Sequence, residues 1–425
     1  MDNSKQVNLS KNIAGEIYLS GSKSYTNRGL ILAALAQGET ILHNYSQSND
    51  SYLLIAALRN LGVGITSDNE KLRIFGTNGD IAPYFGKINV GMAGTTLRFL
   101  IPLCCIAGGE IFISGTPRLH ERPIGDLVNA MRSLGAVIEY GDKDGCAPII
   151  VRGFSSDKVN TQVSVDNTMS SQFVSALLLC GAAFPHGLHL TICGKEISQS
   201  YIDMTLSYLK MFCVNVDKPN KSIYKISRQQ VLAQQINIEG DATGATYFWG
   251  LAALSRGRIR VFNVSKNSAQ GDIGFVSLLE EMGCDICYGE NWIEVANNND
   301  LQSICCDMTL MPDSAQTLAV LASVAHGTTK ISGLSTLKHK ETDRCKAVCH
   351  ELQKLGIECS YDDDSMSITG GSHLNEVKIS TYDDHRMAMS FSLLGCVASI
   401  YIENPSVVAK SFPDFWEKLS SLQQN

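Results

Sequence analysis

The sequence predicts an α/β protein in which a repeat of about 72 residues occurs six times, in two groups of three. Three observations lead to this fold class. With 425 residues, 44% of them hydrophobic, the chain exceeds a single core and has apolar material for more than one domain. Six times, a short loop of small or polar residues runs into an apolar helix. Each repeat also has a second, amphipathic helix, and most of these helices end near glycine before a β-rich run.

The loop-to-helix openings recur at a nearly constant interval. They begin at residues 22, 94, 170, 241, 313 and 385, so successive openings are 72, 76, 71, 72 and 72 residues apart. So constant a spacing is not expected by chance. It therefore favours internal repeats over one long α/β protein whose helices are regularly spaced by accident. The openings are Ser22–Arg28, Gly94–Arg98, Ser170–Gln172, Asp241–Gly244, Asp313–Gln316 and His385–Met387.

The second helices show the periodicity of one buried face. In Asp126–Leu134 the apolar residues fall at 127, 128, 131 and 134, one face of a helix with 3.6 residues per turn. Glycine then stops the helix before a strand, as in Gly135–Tyr140 and Gly356–Tyr361. Five second helices are predicted, over Tyr52–Leu61, Ile124–Leu134, Tyr201–Phe212, Phe275–Met282 and Cys345–Leu355.

Composition and charge exclude several classes of protein. Lys and Arg total 35 against 42 Asp and Glu, giving a net charge of −7 and a pI near 5.7, the opposite of the balance in a duplex-wrapping protein. Residues 1–10 are polar, so no signal peptide is expected. Apolar runs such as Phe99–Ala107 are shorter than the ~20 residues of a membrane span. We therefore expect a cytoplasmic protein with no nucleic-acid and no membrane partner.

The 14 cysteines are scattered through apolar stretches, and without a secretory signal we expect them to be reduced and mostly buried. One C-x-x-C, Cys284–Cys287, falls in a predicted strand and has no second pair at zinc-ribbon spacing. Asp362–Asp364 could be a set of metal ligands, but its place between two predicted strands favours a hairpin turn. These patterns argue against a metal site.

Basic residues at the openings carry the functional signal. Ser22, Thr95, Ser170 and Thr243 are explained as helix N-caps. Capping does not explain Lys23, Arg28 and Arg98, because a helix N-terminus disfavours cations unless an anion is shared between them. Each further basic cluster, taken by itself, is explained as a solvated charged surface. Together the clusters recur at equivalent ends of the repeats, which indicates one cationic cleft. Those clusters are Arg118–Pro123, Lys338–Arg344, Tyr382–Arg386 and Lys410–Pro413.

Common catalytic signatures are missing from the sequence. There is no H-E-x-x-H, no G-x-S-x-G and no complete G-x-G-x-x-G. Gly21–Ser24 is like the end of a phosphate-binding P-loop, but it lacks the glycine directly before the lysine, so an ATPase is not expected. We expect neither a metal nor a nucleotide cofactor.

Seven motifs together resemble the 5-enolpyruvylshikimate-3-phosphate synthase family, in order and over essentially the whole chain. They are Gly21–Arg28, Ala93–Arg98, Pro117–Pro123, Ser170–Gln172, Glu239–Asp241, Lys340–Arg344 and Asp384–Ala388. The resemblance implies an inside-out α/β barrel of two domains, each with three βαβαββ repeats. Residues 22–239 would form one domain, with the shikimate 3-phosphate site and part of the phosphoenolpyruvate site. Residues 1–21 and 240–425 would form the other, with the acid/base carboxylates and the remaining phosphoenolpyruvate ligands.

The resemblance also implies the reaction and its residues. The enolpyruvyl group of phosphoenolpyruvate would move to the 5-hydroxyl of shikimate 3-phosphate, with release of phosphate and without a cofactor, in a monomer. The implied catalytic residues are Asp313, Glu341 and Lys23. The implied shikimate 3-phosphate ligands are Lys23, Ser24, Arg28, Ser170, Ser171, Gln172, Ser198, Tyr201, Asp313 and Lys340. The implied phosphoenolpyruvate ligands are Lys23, Gly94, Arg122, Gln172, Arg344, His385, Arg386 and Lys410.

Three positions depart from the family pattern. Met92 and Thr336 stand where many members have Asn, and Phe99 stands where many have Pro. These departures bear on ligand affinity, including that for the analogue glyphosate, and not on the reaction. Two alternative functions are disfavoured. The sister transferase acting on UDP-N-acetylglucosamine would carry Lys-Asn in the first opening and a cysteine between Arg118 and Arg122, and neither is present. A catalytically dead anion-binding scaffold is disfavoured because both carboxylates and the basic positions are retained.

Overall fold

The computed structural model describes residues 3–68, 70–155, 160–194, 198–371 and 373–423. The chain folds into two compact units. Unit 1 comprises residues 1–20 and 239–425, and unit 2 comprises residues 21–238. The chain therefore passes from unit 1 to unit 2 and back again.

The described residues form twelve α-helices. Their bounds are α1 Lys23–Leu35, α2 Asn49–Asn60, α3 Gly94–Ala107, α4 Gly125–Ser133, α5 Ser171–Cys180, α6 Gln199–Met211, α7 Ala242–Ser255, α8 Phe275–Glu281, α9 Ala315–Ala322, α10 Arg344–Lys354, α11 His385–Ser392 and α12 Phe415–Ser421. The six openings each lead into an α-helix, and the five second helices are confirmed as α2, α4, α6, α8 and α10.

Twenty-three strands lie within the described residues. They are β1 Ser4–Val7, β2 Ala14–Tyr18, β3 Glu39–His43, β4 Gly64–Ser67, β5 Lys71–Phe75, β6 Tyr84–Asn89, β7 Gly109–Ser114, β8 Ala136–Tyr140, β9 Ile149–Phe154, β10 Gln162–Asp166, β11 Leu188–Cys193, β12 Asp217–Asn220, β13 Ile223–Ile226, β14 Gln235–Asn237, β15 Arg258–Phe262, β16 Asp285–Tyr288, β17 Trp292–Ala296, β18 Cys305–Asp307, β19 Thr328–Ser332, β20 Glu358–Tyr361, β21 Ser365–Thr369, β22 Val377–Ile379 and β23 Ile400–Glu403.

The strands form small mixed sheets that repeat one pattern. In the clearest repeat the sheet order is β6-β7-β9-β8, with β6 parallel to β7 and the other two pairings antiparallel. Helix α3 connects the parallel pair and α4 connects β7 to β8, so the order of elements in this repeat is βαβαββ. The other sheets are β14-β3-β5-β4 and β10-β11-β13-β12 in unit 2, and β2-β15-β17-β16, β18-β19-β21-β20 and the three-stranded β1-β23-β22 in unit 1.

Two strands are taken from distant parts of the chain. Strand β14, at the end of unit 2, pairs in parallel with β3, placing Gln235 opposite Ile41. Strand β2, near the N-terminus, pairs in parallel with β15, placing Ala14 opposite Arg258. Strand β14 thus closes unit 2 from the far end of its own sequence, whereas β2 joins unit 1 from before the chain enters unit 2, which is why unit 1 is discontinuous in sequence.

The first helix of each repeat lies in the interior. All residues of α7 are buried, and α9 packs against both α7 and α11. In unit 2, α1, α3 and α5 pack together. A helix that is apolar all round belongs in the middle of a core, whereas the amphipathic second helices, such as α4, cover its outside. This arrangement, with helices inside and sheets that do not close, is the expected inside-out α/β architecture.

Local capping also sets where these helices begin. The Ser170 side chain accepts a hydrogen bond from the Gln172 N–H, and that of Asp241 accepts one from the Gly244 N–H. Asp241, not Thr243, therefore caps α7. The side chain of Ser22 makes no capping hydrogen bond, so the helix start at Lys23 is not explained by a serine cap.

The cysteines correct one expectation. Cys349 of α10 and Cys359 of β20 form a disulfide, because the turn at Gly356 brings their Cα atoms to 5.4 Å. The prediction that all the cysteines are reduced is wrong for this pair; most of the free cysteines are buried, as expected. Asp362–Asp364 is confirmed as a hairpin turn, since Asp362 accepts hydrogen bonds from the N–H groups of Asp364 and Ser365.

Metal ligation and membrane crossing were the two remaining possibilities raised by the sequence. Among them, no group of three or more His, Cys, Asp or Glu side chains is placed to hold a metal ion. No helix within the described ranges is long and apolar enough to cross a membrane.

Candidate active site

Three helix starts in unit 1 present the charged residues that the sequence singled out. Asp313 lies in the 3₁₀ turn Pro312–Ser314, where proline sets the backbone just before α9. Arg344 is the first residue of α10, and Arg386 is the second residue of α11. Because α9 packs against α10 and α11, these starts converge.

Asp313 is the centre of this cluster and contacts three cations. Its Oδ1 accepts from Arg344 Nη1 at 2.8 Å and from Lys340 Nζ at 3.1 Å, and its Oδ2 accepts from Arg386 Nη2 at 3.0 Å. Burial opposes ionisation, but Arg386, Lys340 and Arg344 together hold the pKa of Asp313 well below its usual range. The carboxylate is therefore ionised and able to accept a proton or a hydrogen bond.

Glu341 shares one of these cations. Its Oε2 accepts from Arg344 Nη2 at 2.9 Å, and its Oε1 accepts from Lys410 Nζ. Only 9% of the Glu341 side chain is exposed. A second carboxylate is thus fixed beside Asp313 by the same guanidinium.

Arg344 links the cluster to Asp384, which was not among the site residues predicted from the sequence. Its Nε donates to Asp384 Oδ2 at 2.7 Å, and 2% of the Arg344 side chain is exposed. Burial disfavours its charge, but Asp384, Glu341 and Asp313 raise the pKa of Arg344 above its usual value. The signal for Asp384 was available, because an aspartate directly before a helix is an N-cap, and its side chain accepts from the Arg386 N–H.

The remaining unit 1 residues are placed around this group. Burial lowers the pKa of Lys340, and Asp313 opposes that effect. Arg386 Nη1 also donates to the hydroxyl of Tyr247 at 3.3 Å, a contact that the sequence did not indicate. His385 is buried, with Nδ1 3.6 Å from Asp384 Oδ1.

Lys23 lies at the start of α1 in unit 2, paired with an aspartate. Its Nζ lies 3.0 Å from Oδ2 of Asp50, which is in the first turn of α2, and both side chains are mostly buried. An acidic residue in the first turn of a helix is favoured by the helix dipole. Asp50 was missed because its partner is on another helix.

Arg28 is held inside unit 2 by four hydrogen bonds. Its Nε donates to Thr205 Oγ1 at 2.8 Å and its Nη1 to the Ser24 carbonyl at 2.9 Å. Its Nη2 donates to Ser175 Oγ at 3.3 Å and to the Tyr201 carbonyl at 2.9 Å. Burial lowers the pKa of Arg28 to about 10. The guanidinium therefore joins α1 to α5 and α6, and Thr205 and Ser175 are contacts that the sequence did not predict.

Gln172 is oriented by two residues of α3. Arg98 Nη1 donates to Gln172 Oε1 at 2.6 Å, and Gln172 Nε2 donates to Thr95 Oγ1 at 3.1 Å. Arg98 also donates to the Pro123 carbonyl at 3.1 Å and lies over the ring of Phe173. Arg98, noted in the sequence as a cation at a helix start, thus fixes the amide of Gln172.

Arg122 packs directly over Gly94. A Cβ added at Gly94 would lie 2.5 Å from Nη1 of Arg122, so a side chain at this position would force the guanidinium to move. Arg122 is buried, and its Nη1 lies 3.5 Å from the carbonyl of Met92. The two sequence motifs that contain Gly94 and Arg122 therefore meet in space.

Serines lie at the starts of two adjacent helices in unit 2. Ser170 caps α5 and Ser171 is its first residue, while Ser198 precedes α6 with a left-handed φ of 53°. Helices α5 and α6 pack against each other. The backbone N–H groups and the dipole of a helix N-terminus favour an oxyanion.

The chain is similar in sequence to known proteins over nearly its whole length. The sequence model of the EPSP synthase family, 3-phosphoshikimate 1-carboxyvinyltransferase, matches residues 7–419. The chain belongs to this family. It is 39% identical over 418 residues to the 3-phosphoshikimate 1-carboxyvinyltransferase of Photobacterium damsela subsp. piscicida, covering 97% of each chain. It is 38% identical over 429 residues to that of Aeromonas salmonicida (strain A449), covering 99% of each.

A solved structure shows the same fold. The EPSP synthase of Acinetobacter baumannii superposes with a TM-score of 0.82 at 24% identity, covering 100% of this chain and 98% of that one. The family resemblance and the inside-out α/β fold expected from the sequence are confirmed. The enzyme class is confirmed with them, as an enolpyruvyl transferase of aromatic amino acid biosynthesis.

Proposed function

We propose that the clusters described above bind phosphoenolpyruvate and shikimate 3-phosphate and carry out addition and elimination at the enolpyruvyl carbon. The observation that carries this proposal is Asp313, an ionised carboxylate held by Lys340, Arg344 and Arg386, with Glu341 on the same guanidinium. Two small polyanions need local cations, and the chemistry needs carboxylates that stay ionised among them.

The addition step forms a C–O bond. The 5-hydroxyl oxygen of shikimate 3-phosphate attacks C2 of phosphoenolpyruvate while its proton passes to Asp313, and C3 gains a proton. Glu341 and Lys23 are the residues we assign to proton transfer at C3. The product of this step is a tetrahedral ketal phosphate.

Elimination reverses the proton transfer at C3, and the proton taken up by Asp313 passes to the leaving phosphate. A proton leaves C3, the C2–O bond to phosphate breaks, and phosphate departs with the electron pair. No P–O bond is broken, so the chemistry does not call for the magnesium that phosphoryl transfer uses. Activity should survive EDTA, and loss restored specifically by one divalent ion would contradict the cofactor-free mechanism.

The ligand roles are those that membership of the family implies. Ser170, Ser171 and Ser198 at helix starts, with Lys340, would bind the 3-phosphate of shikimate 3-phosphate. The rest of that set is Lys23, Ser24, Arg28, Gln172, Tyr201 and Asp313. The proposed phosphoenolpyruvate ligands are Lys23, Gly94, Arg122, Gln172, Arg344, His385, Arg386 and Lys410.

The roles of the two carboxylates can be tested by isosteric substitution. Asp313→Asn and Glu341→Gln should each lower kcat by roughly 10²-fold or more, the scale of a positioned acid or base. Phosphate release from phosphoenolpyruvate, with and without shikimate 3-phosphate, is the assay. Exposed residues of the same unit give matched controls: Asp363→Asn and Glu358→Gln should keep the wild-type rate. A near-normal kcat for Asp313→Asn or Glu341→Gln would exclude the role given to that residue.

The cytoplasmic location and the monomeric state expected from the sequence stay predictions. Sedimentation of the purified enzyme at assay concentration would decide the oligomeric state.

A further inference from the structure

The segment that leads from β22 into α11 has an unusual backbone. Tyr382 and Asp383 are both left-handed, with φ of 53° and 54°. For residues other than glycine this conformation costs roughly 1–2 kcal/mol each, and the cost is greatest for bulky side chains such as tyrosine. Two such residues in succession persist only where the surroundings hold them. They directly precede Asp384, His385 and Arg386.

Glu351 is the residue that holds this segment. Its Oε1 accepts from the Tyr382 hydroxyl at 2.6 Å, and its Oε2 accepts from the Ser380 N–H at 3.2 Å. The Glu351 side chain is fully buried, and Lys354 Nζ lies 2.7 Å from Oε2 to balance its charge. Tyr382 itself is 38% exposed, so burial alone does not fix its ring.

Helix α10 contacts the segment at two points. Glu351 lies seven residues after Arg344, which places both on one face of the helix. Glu351 contacts Tyr382, and Arg344 contacts Asp384. Asp383 is tied separately, since its Oδ1 accepts from Asn404 Nδ2 at 3.2 Å. One rigid helix therefore sets the position of both ends of Tyr382–Asp384.

The position of Arg386 follows from this arrangement. Asp384 Oδ1 accepts from the Arg386 N–H at 2.9 Å and so starts α11. From that start, Arg386 reaches Asp313 Oδ2 at 3.0 Å and the Tyr247 hydroxyl at 3.3 Å. If the left-handed pair relaxed, the backbone of Arg386 would move and its guanidinium would leave this geometry.

We propose that Glu351, through its hydrogen bond to Tyr382, is a positioning residue that aims Arg386 at phosphoenolpyruvate. The inference rests on the proposed role of Arg386 as a ligand of that substrate. Glu351 is not one of the proposed substrate ligands; it acts at a distance by holding a strained turn. Its pairing with Lys354 alone would be a structural contact on α10 and would not affect one substrate more than the other.

Tyr382→Phe is the main test, because it removes the hydroxyl and keeps the ring. It should raise the KM for phosphoenolpyruvate about tenfold, the scale of one hydrogen bond to a charged group, while the KM for shikimate 3-phosphate changes little. Glu351→Gln should do the same. The double variant should raise KM no further than the single variants, because both act through one contact. Tyr361→Phe, an exposed tyrosine of the same unit, is the matched control and should leave both constants unchanged.

Arg386→Lys separates the inference from the assignment beneath it. If Arg386→Lys raises the KM for phosphoenolpyruvate and Tyr382→Phe does not, the positioning role is wrong and the ligand assignment stands. If Arg386→Lys leaves that KM unchanged, the ligand assignment fails and the inference fails with it. Thermal unfolding of each variant completes the test: a lowered Tm with both KM values unchanged would show a structural contact only and overturn the proposal. If Glu351→Gln does not fold, the kinetics of Tyr382→Phe decide the question alone.

Discussion

Replacing Arg344 by methionine tests the electrostatic design of the unit 1 cluster. The guanidinium is buried and contacts three carboxylates, with N–O distances of 2.7 Å to Asp384, 2.8 Å to Asp313 and 2.9 Å to Glu341. Methionine fills similar volume but removes the charge. Asp384, which is fully buried, would lose its cation.

The magnitude follows from the cost of leaving a buried charge without its partner. Breaking a buried ion pair by removing one side costs about 3–5 kcal/mol. Unit 1 has roughly 200 residues, for which 1 kcal/mol corresponds to about 2–4 °C in Tm. We expect Arg344→Met to lower the Tm of the unliganded protein by about 10 °C.

The effect should depend on pH in a defined direction. The folded-state pKa of Asp313 is below its unfolded value of 3.8, so its stabilisation is complete above that value and is lost as pH falls through the folded pKa. Removing Arg344 raises the folded-state pKa, so the variant gains less from ionisation. The difference in Tm between wild type and variant should therefore be largest near neutral pH and shrink below about pH 4.

Thermal melts by circular dichroism, without ligands, over this pH range give the measurement. Arg258→Met is the control, since 67% of its side chain is exposed and its nearest carboxylate oxygen is 3.7 Å away. An exposed pair contributes about 0–1 kcal/mol, so the control should melt close to wild type. Equal Tm values for wild type and Arg344→Met, or a Tm difference that does not change with pH, would refute the reasoning.

Three further predictions concern single residues. Gly94→Ala places a Cβ against the Arg122 guanidinium and should raise the KM for phosphoenolpyruvate about tenfold in steady-state assays, and an unchanged KM would contradict the close packing. Asp50→Asn removes the partner of Lys23 and should lower kcat about tenfold, whereas full activity would make that pair irrelevant to turnover. Burial raises the pKa of Asp272 from 3.8 to about 6, so the protein loses stability as pH rises from 3.8 to about 6 and loses no more above that. The free energy of unfolding of Asp272→Asn should rise by about 3 kcal/mol relative to wild type as pH rises from about 3 to about 7, and a pH-independent difference in Tm would refute this.

The sequence was sufficient for the repeat and for most helix boundaries. The interval between openings predicted six helices that the structure contains, and α4 runs over Gly125–Ser133 where Ile124–Leu134 was expected. The hairpin turn at Asp362–Asp364 was predicted from the same kind of evidence. Capping, periodicity and turn chemistry involve residues a few positions apart, so their pattern is visible in the chain itself.

The charged partners of the site needed the tertiary structure. Asp50 is 27 residues from Lys23, and Asp384 is 40 residues from Arg344. Nothing in a helix start such as Lys23 shows which carboxylate will lie beside it. The disulfide between Cys349 and Cys359 was missed for the same reason, because the expectation rested on compartment and not on the distance between two thiols.

The sequence by itself determined the family, the repeated unit and the residue types that the reaction needs. Only the tertiary structure decided that β14 pairs with β3 and β2 with β15, and that one buried guanidinium joins Asp313, Glu341 and Asp384. The physical reason is that strand pairing and ion pairing across long stretches of chain are selected by burial of the whole core. A charge taken out of water must find its partner wherever the packing places it.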